Sequence, residues 1–246
     1  MSENSNPSVH PTRRRVLRTL VGTGGLLASG VVSGLAASPA VQVTEPLDLL
    51  NQLATQEALL VTFYHTVLSG ATFLVTDTAA DQLRTMLDTQ RQHLQLLTAQ
   101  GGRPQAASFT LPEHLTADAS VFVSTGQYLE QVSAATYVAA THDFAVLGRP
   151  VLAATAAQFG TAEAQHLALL SHLAGFEDID LRTQTKHFGQ APDGLLALKR
   201  FIRPSKSTGP LTPFPTISQL SASLGGRLGD PVRLYRASSD GRSTSS

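Results

Sequence analysis

Glu57 is followed seven residues later by Tyr64 and 33 residues later by the run Gln90-Arg91-Gln92-His93. Glu130 is followed at the same two intervals by Tyr137 and by Glu163-Ala164-Gln165-His166. The second runs continue alike, Leu94-Gln95-Leu96-Leu97 against Leu167-Ala168-Leu169-Leu170, so the likeness covers packing residues as well as polar ones. A Glu and a His three apart lie on one face of a helix, about one turn from each other. Joined by a carboxylate from a neighbouring helix and repeated once, they form the pattern from which a four-helix bundle builds a two-metal site. The candidate ligands are Glu57, His93, Glu130, Glu163 and His166, with Gln90 standing where the repeat would place a fourth carboxylate.

The ordinary reading of a helical Glu is a solvated surface residue. Here the only three Glu residues in the interiors of the expected helices, Glu57, Glu130 and Glu163, all fall on apolar stripes. Gathering three ionised carboxylates in one core costs several kcal/mol each unless cations or protons balance them. The chain has no cysteine, which excludes disulfides, thiolate metal sites, iron–sulfur clusters and a thiol nucleophile, so oxygen and imidazole must hold any metal. That donor set suits iron or manganese and also accepts zinc. Tyr64 and Tyr137 lie two turns from Glu57 and Glu130, where a hydroxyl could support a ligating carboxylate or simply be satisfied elsewhere in the core. Asp88 points to another face of its helix and does not restore the missing carboxylate. His65, His114, His142, His172 and His187 lack a repeat partner and read as surface or loop residues.

Four helices must position these groups. Period and punctuation place the first from Glu45 to Gly70, with Leu49, Leu53, Glu57, Leu60, Tyr64 and Leu68 on one stripe. The second runs from Thr78, with Thr78 and Asp81 as a capping pair, to Gly101-Gly102. Its inner stripe is Leu83, Met86, Leu87, Gln90, His93, Leu94 and Leu97. The third covers Ala117 to Leu147, and the fourth Pro150 to Gly175 with Phe159, Glu163, His166, Leu170 and Leu173 inward. Short connections make the first and second helices, and the third and fourth, antiparallel neighbours. The link from Gly101 to Thr116 can stretch roughly 50 Å when extended, whereas a 25-residue helix is only about 37 Å long. It can run the length of the bundle and start the third helix parallel to the second. The fold expected is all-α: two helical hairpins joined by one long crossover, over residues 41–181.

Outside that bundle the chain changes character. Thr12-Arg13-Arg14-Arg15-Val16-Leu17-Arg18, a Gly-rich apolar stretch to Leu35 and Ser38-Pro39-Ala40 look like a twin-arginine export signal over residues 1–40, placing the protein in the periplasm or cell envelope. Cleavage of that segment, or its retention as a membrane anchor, stays open. Residues 41–181 carry 4 basic and 14 acidic residues, against 10 basic and 3 acidic over residues 182–246. The acidic body argues against nucleic acid as its ligand. The basic, Pro-, Ser- and Gly-rich extension could fold onto the bundle, touch anionic envelope polymers or stay solvated. Within it, Leu195 to Ile202 and Ile217 to Leu224 are expected as short helices in an otherwise extended wrap. Nothing identifies surfaces that would close a storage cage, and a homo-oligomer stays open.

The segments Leu53-Ala54-Thr55-Gln56-Glu57 through Phe63-Tyr64, Tyr128-Leu129-Glu130 through Ala135-Thr136-Tyr137, and Glu163-Ala164-Gln165-His166 resemble the bacterial ferritin-like domain proteins, including their desiccation-related branch. The likeness spans Asp48 to Gly175, about half the chain, and twin-arginine signals fit members of that group. It implies a ferritin-like bundle, in many relatives with a di-iron or di-manganese centre. Carried over position by position, it implies Glu57 and Glu130 as terminal ligands, Glu163 as a bridge and His93 and His166 as imidazole ligands. The second bridge would fall at Gln90. Two functions follow as expectations: a metal protein with oxidase, peroxidase or catalase-like chemistry, or a metal-free envelope protein of structural or stress-protection type that has lost its centre.

Overall fold

The computed structural model describes residues 45–73, 76–173, 187–202, 209–226, 229 and 232–235. The expected signal segment and the boundaries at 40/41 and 181/182 lie outside the described residues.

Helix α1 spans Pro46–Gly70 and α2 Asp77–Ala99. Proline at the first helical position presets φ for α1. The start of α2 differs from the capping pair expected at Thr78 and Asp81. Thr76 is the N-cap, its hydroxyl accepting from the Ala79 N–H at 3.2 Å, while Asp81 lies in the second turn beside Arg84 at 2.7 Å. Thr76 and Thr78 both have a capping side chain, and the chain enters the helix two residues earlier than the hydrophobic period alone suggests. At the other end Gly101, at φ 97°, turns the chain out of α2, and the Gly102 N–H closes on the Leu97 carbonyl at 3.0 Å.

Helix α3 covers Ala119–Val146 and α4 Pro150–Leu173. Asp118 caps α3 by accepting from the Ser120 and Val121 N–H groups. The start of α1 meets the end of α2, where Gly102 lies against the Leu50 and Leu97 carbonyls. The start of α3 meets the end of α4, where Gly126 faces Leu170. These are the two antiparallel hairpins. The crossover ends beside the C-terminus of α1, with the Thr72 N–H bonded to the Thr116 carbonyl, so α3 starts at that end and runs parallel to α2. The architecture is the all-α two-hairpin bundle with one long crossover.

The crossover is tied down by the C-terminal extension. Strand β1, Ser108–Thr110, pairs antiparallel with β2, Leu211–Pro213, with Phe109 opposite Thr212. Helix α5, Ala191–Ala197, packs against α3 and α1; α6 covers Lys199–Ile202; α7, Ile217–Ser223, packs against α1. With neighbours on every side, α1 is buried without interruption from Leu53 to Tyr64. His65, expected at the surface, is half-buried under α7 and bonds the Ser223 hydroxyl at 2.8 Å. The correction comes from a neighbour 158 positions away. No helix among the described residues is long and apolar enough to cross a membrane.

Candidate metal centre

Each bundle helix carries one part of the cluster: Glu57 on α1, Gln90 and His93 on α2, Glu130 on α3, Glu163 and His166 on α4. Glu57, Gln90, Glu130 and Glu163 have no exposed surface, and His93 and His166 are 3% and 8% exposed. The three-residue spacing on α2 and α4 turns each pair toward the bundle axis, and the antiparallel hairpins bring the two pairs together.

Two groups of ligand atoms result. Glu57, His93 and Glu163 form one, all within 4.8 Å of one another, and Glu130, Glu163 and His166 form the other, so Glu163 belongs to both. In the first, His93 Nδ1 lies 3.1 Å from Glu163 Oε1 and 3.8 Å from Glu57 Oε2. In the second, His166 Nδ1 lies 3.4 Å from Glu163 Oε2 and 3.7 Å from Glu130 Oε1. Gln90 Nε2 reaches into the second group, donating to Glu163 Oε2 at 2.7 Å and approaching His166 Nδ1 at 3.1 Å and Glu130 Oε1 at 3.4 Å. Asp88 is elsewhere, accepting from Arg91, Gln92 and the Gly229 N–H.

The tyrosines serve the opposite carboxylates from those on their own helices. The Tyr64 hydroxyl donates to Glu130 Oε1, and the Tyr137 hydroxyl donates to Glu57 Oε1. Helices α1 and α3 run antiparallel across the core, so a tyrosine two turns beyond one Glu arrives level with the other. Gly160 on α4 makes room for this, because a Cβ there would stand 3.2 Å from the Tyr137 Cβ. Phe159 stacks on the His93 ring at 3.7 Å between centroids and meets Tyr137 edge-on. Next to Glu57, Gln56 is also buried and donates to the Ser133 hydroxyl at 2.7 Å. Neither the crossed tyrosine pairs nor the Gln56–Ser133 bridge was expected. The seven-residue spacing flagged the tyrosines, but no sequence signal marks Gln56 apart from its place beside Glu57.

Metal-free, the cluster balances its charge with protons. Burial and the charge of Glu163 raise Glu57 to about 7, against the pull of His93 and Tyr137. The same two causes raise Glu130 to about 8 despite His166. Burial also opposes ionisation of Glu163, but hydrogen bonds from His166 and His93 hold it well below the ordinary carboxylate range. Burial disfavours the imidazolium ions, yet the bonds to Glu163 and Glu57 raise His93 to about 9, and those to Glu130 and Glu163 raise His166 to about 10. The tyrosine hydroxyls are pushed well above their usual value, first by burial and then by the adjacent carboxylates, so they stay protonated and act as donors.

The residues fit a divalent ion. Glu57 Oε2, Glu130 Oε2 and Gln90 Oε1 are buried with no hydrogen-bond partner, and buried acceptors without donors are costly. The separations between ligand atoms in the first group, 3.1 and 3.8 Å, are those of oxygen and nitrogen atoms sharing one cation at about 2.0–2.2 Å. The Glu/His groups could therefore hold a metal ion.

Comparison with known proteins agrees with this geometry. The ferritin-like domain family matches the chain over residues 45–175, more than half its length and all four bundle helices. No curated protein and no solved structure matches the chain.

Proposed function

The chain belongs to the ferritin-like domain family, and from that premise we propose that it is an exported metal protein whose buried Glu/His cluster holds iron or manganese and reacts with oxygen or peroxide. One observation carries the reading: carboxylate oxygens of Glu57 and Glu130 lie fully buried with no donor, beside imidazoles that present Nδ1 to the same space. A bound redox metal would supply electron transfer to a small oxidant. The chain's own residues do the rest. Glu57, Glu163 and His93 provide ligand atoms; Tyr137 and Tyr64 orient Glu57 and Glu130 through their hydroxyls; Phe159 fixes the plane of His93. Near-complete burial of the cluster excludes bulk water, which favours a small reactant over a large one.

A second reading has its own support. Gln90 donates to Glu163 and the two imidazoles pair with carboxylates, so much of the cluster is satisfied without metal. This suits a metal-free envelope protein of structural or stress-protection type. In either case we place the protein outside the cytoplasm by the twin-arginine route, with the basic extension available to its own bundle or to anionic envelope polymers, and with no role for nucleic acid. The test is the metal content of the purified chain, native and after exposure to Fe(II) or Mn(II), alongside Glu163→Gln. Bound transition metal that is lost in the variant supports the first reading. A chain that neither carries nor takes up metal belongs to the second.

A further inference from the structure

The two halves of the cluster are unequal, and we propose that it takes a single divalent first-row ion on Glu57, His93 and Glu163, while the Gln90 amide fills the other half as a built-in substitute for a second ion. This rests on the reading of the cluster as a metal site and narrows it.

In the first half Glu57 Oε2 has no partner, and His93 Nδ1, 3.8 Å from it, bonds Glu163 Oε1 at 3.1 Å. The Tyr137 hydroxyl is spent on the other Glu57 oxygen and leaves Oε2 open. The second half holds the Gln90 amide, although Glu130 Oε2 and Gln90 Oε1 are also without a partner there. One amide nitrogen lies 2.7 Å from Glu163 Oε2, 3.1 Å from His166 Nδ1 and 3.4 Å from Glu130 Oε1. Those three are the atoms an ion there would need, and the amide hydrogens project into the space between them. The same Glu130 oxygen already accepts from Tyr64. Turning the amide over would set its oxygen 2.7 Å from Glu163 Oε2, two acceptors in contact, which a proton or a second ion would have to relieve.

Charge leads to the same result. Glu57 and Glu163 neutralise one divalent ion with His93 neutral. A second ion would bring two more positive charges against Glu130 alone, leaving an uncompensated charge in the core, a costly arrangement. A one-ion site removes paired-metal chemistry from this chain and leaves one-electron or Lewis-acid chemistry.

The experiment is a Mn(II) titration of the chelator-treated full chain. Bound ions are counted by metal analysis after gel filtration, and electron paramagnetic resonance reports whether they are isolated or coupled. One manganese per chain with an isolated six-line signal is expected. Glu57→Gln should reduce it to a trace, and Glu130→Gln should retain it; both substitutions preserve side-chain shape, and the wild-type count decides the number of ions even where a variant fails to fold. Two manganese ions with a coupled signal overturn the one-ion assignment and leave the metal reading standing. No binding overturns both. A single ion kept in Glu57→Gln and lost in Glu130→Gln overturns the choice of half.

Discussion

Replacing Gln90 by Glu changes one N–H₂ group into an oxygen and tests how the cluster manages its charge. Gln90 Nε2 lies 2.7 Å from Glu163 Oε2. Two ionised carboxylates at that separation repel by about 6 kcal/mol at an effective dielectric constant of about 20. The new carboxyl has a cheaper way out, because holding a proton at pH 7 costs about 3–4 kcal/mol from an ordinary starting value near 4.3. Protonated, it donates to Glu163 as the amide does. The metal-free Gln90→Glu protein should therefore be about 3 kcal/mol less stable than its parent at pH 7 and within about 1 kcal/mol of it at pH 5. For a chain of this size the neutral-pH loss corresponds to a fall in Tm of roughly 6–12 °C. A divalent ion between the two carboxylates removes the penalty, so Mn(II) should restore Tm and occupancy should rise toward two ions per chain. Thermal unfolding at the two pH values, with and without Mn(II), measures all of this. A loss of stability independent of pH, or no gain in bound metal, would refute the placement of Gln90 against Glu163 as the group that replaces a bridging ligand.

Metal-free wild-type protein should lose stability as pH rises. Glu57 and Glu130, raised to about 7 and 8, and His93 and His166, raised to about 9 and 10, all bind protons more tightly folded than unfolded. Their contribution is complete below the unfolded values and disappears as pH passes through the folded ones, while the Glu163 contribution is lost only on acidification, its value being depressed. Tm of chelator-treated protein should fall between about pH 5 and pH 10, and a flat profile would contradict the proton-balanced cluster. Because the same protons must leave when metal binds, Mn(II) binding near neutral pH should release protons, measurable in weakly buffered solution. Tyr137→Phe strips the donor from Glu57 and should cost about 1–3 kcal/mol and weaken metal binding about 10-fold or more. Tyr64→Phe should cost similar stability but weaken binding less, as calorimetric titration of the two variants will show. Gly194→Ala should unseat α5, since a Cβ there would stand 1.8 Å from the Thr136 hydroxyl; a loss of about 1–3 kcal/mol is expected in denaturant unfolding.

Much of the bundle could be read from the chain because helical period and repeat spacing are local properties. The apolar stripes of the first, second and fourth helices are buried as expected, with Leu68 and Leu173 at their margins only half covered. The three-residue spacing of Glu163 and His166, and its echo at Gln90 and His93, is enough to aim those side chains to one side of their helices. Two short connections make two antiparallel hairpins, and one link is long enough to join them by a crossover. Where a helix starts within a Thr-rich stretch is less determined, and Thr76 rather than Thr78 takes the cap.

Contacts between elements distant in sequence belong to the tertiary structure. Tyr64 serves Glu130 and Tyr137 serves Glu57 because α1 and α3 face each other antiparallel, a relation absent from either repeat alone. His65 goes under cover, and α1 is buried all round, because α5 and α7 return from the far end of the chain. The repeat identified Gln90 as the odd residue, but which way its amide faces depends on the Glu130 and Glu163 carboxylates and the His166 ring from α3 and α4. Sequence spacing sets which side of a helix a group occupies; only the packed helices decide which partner it finds there, because hydrogen bonds and ligand bonds act over about 2–3 Å and that distance is reached only once the core has closed.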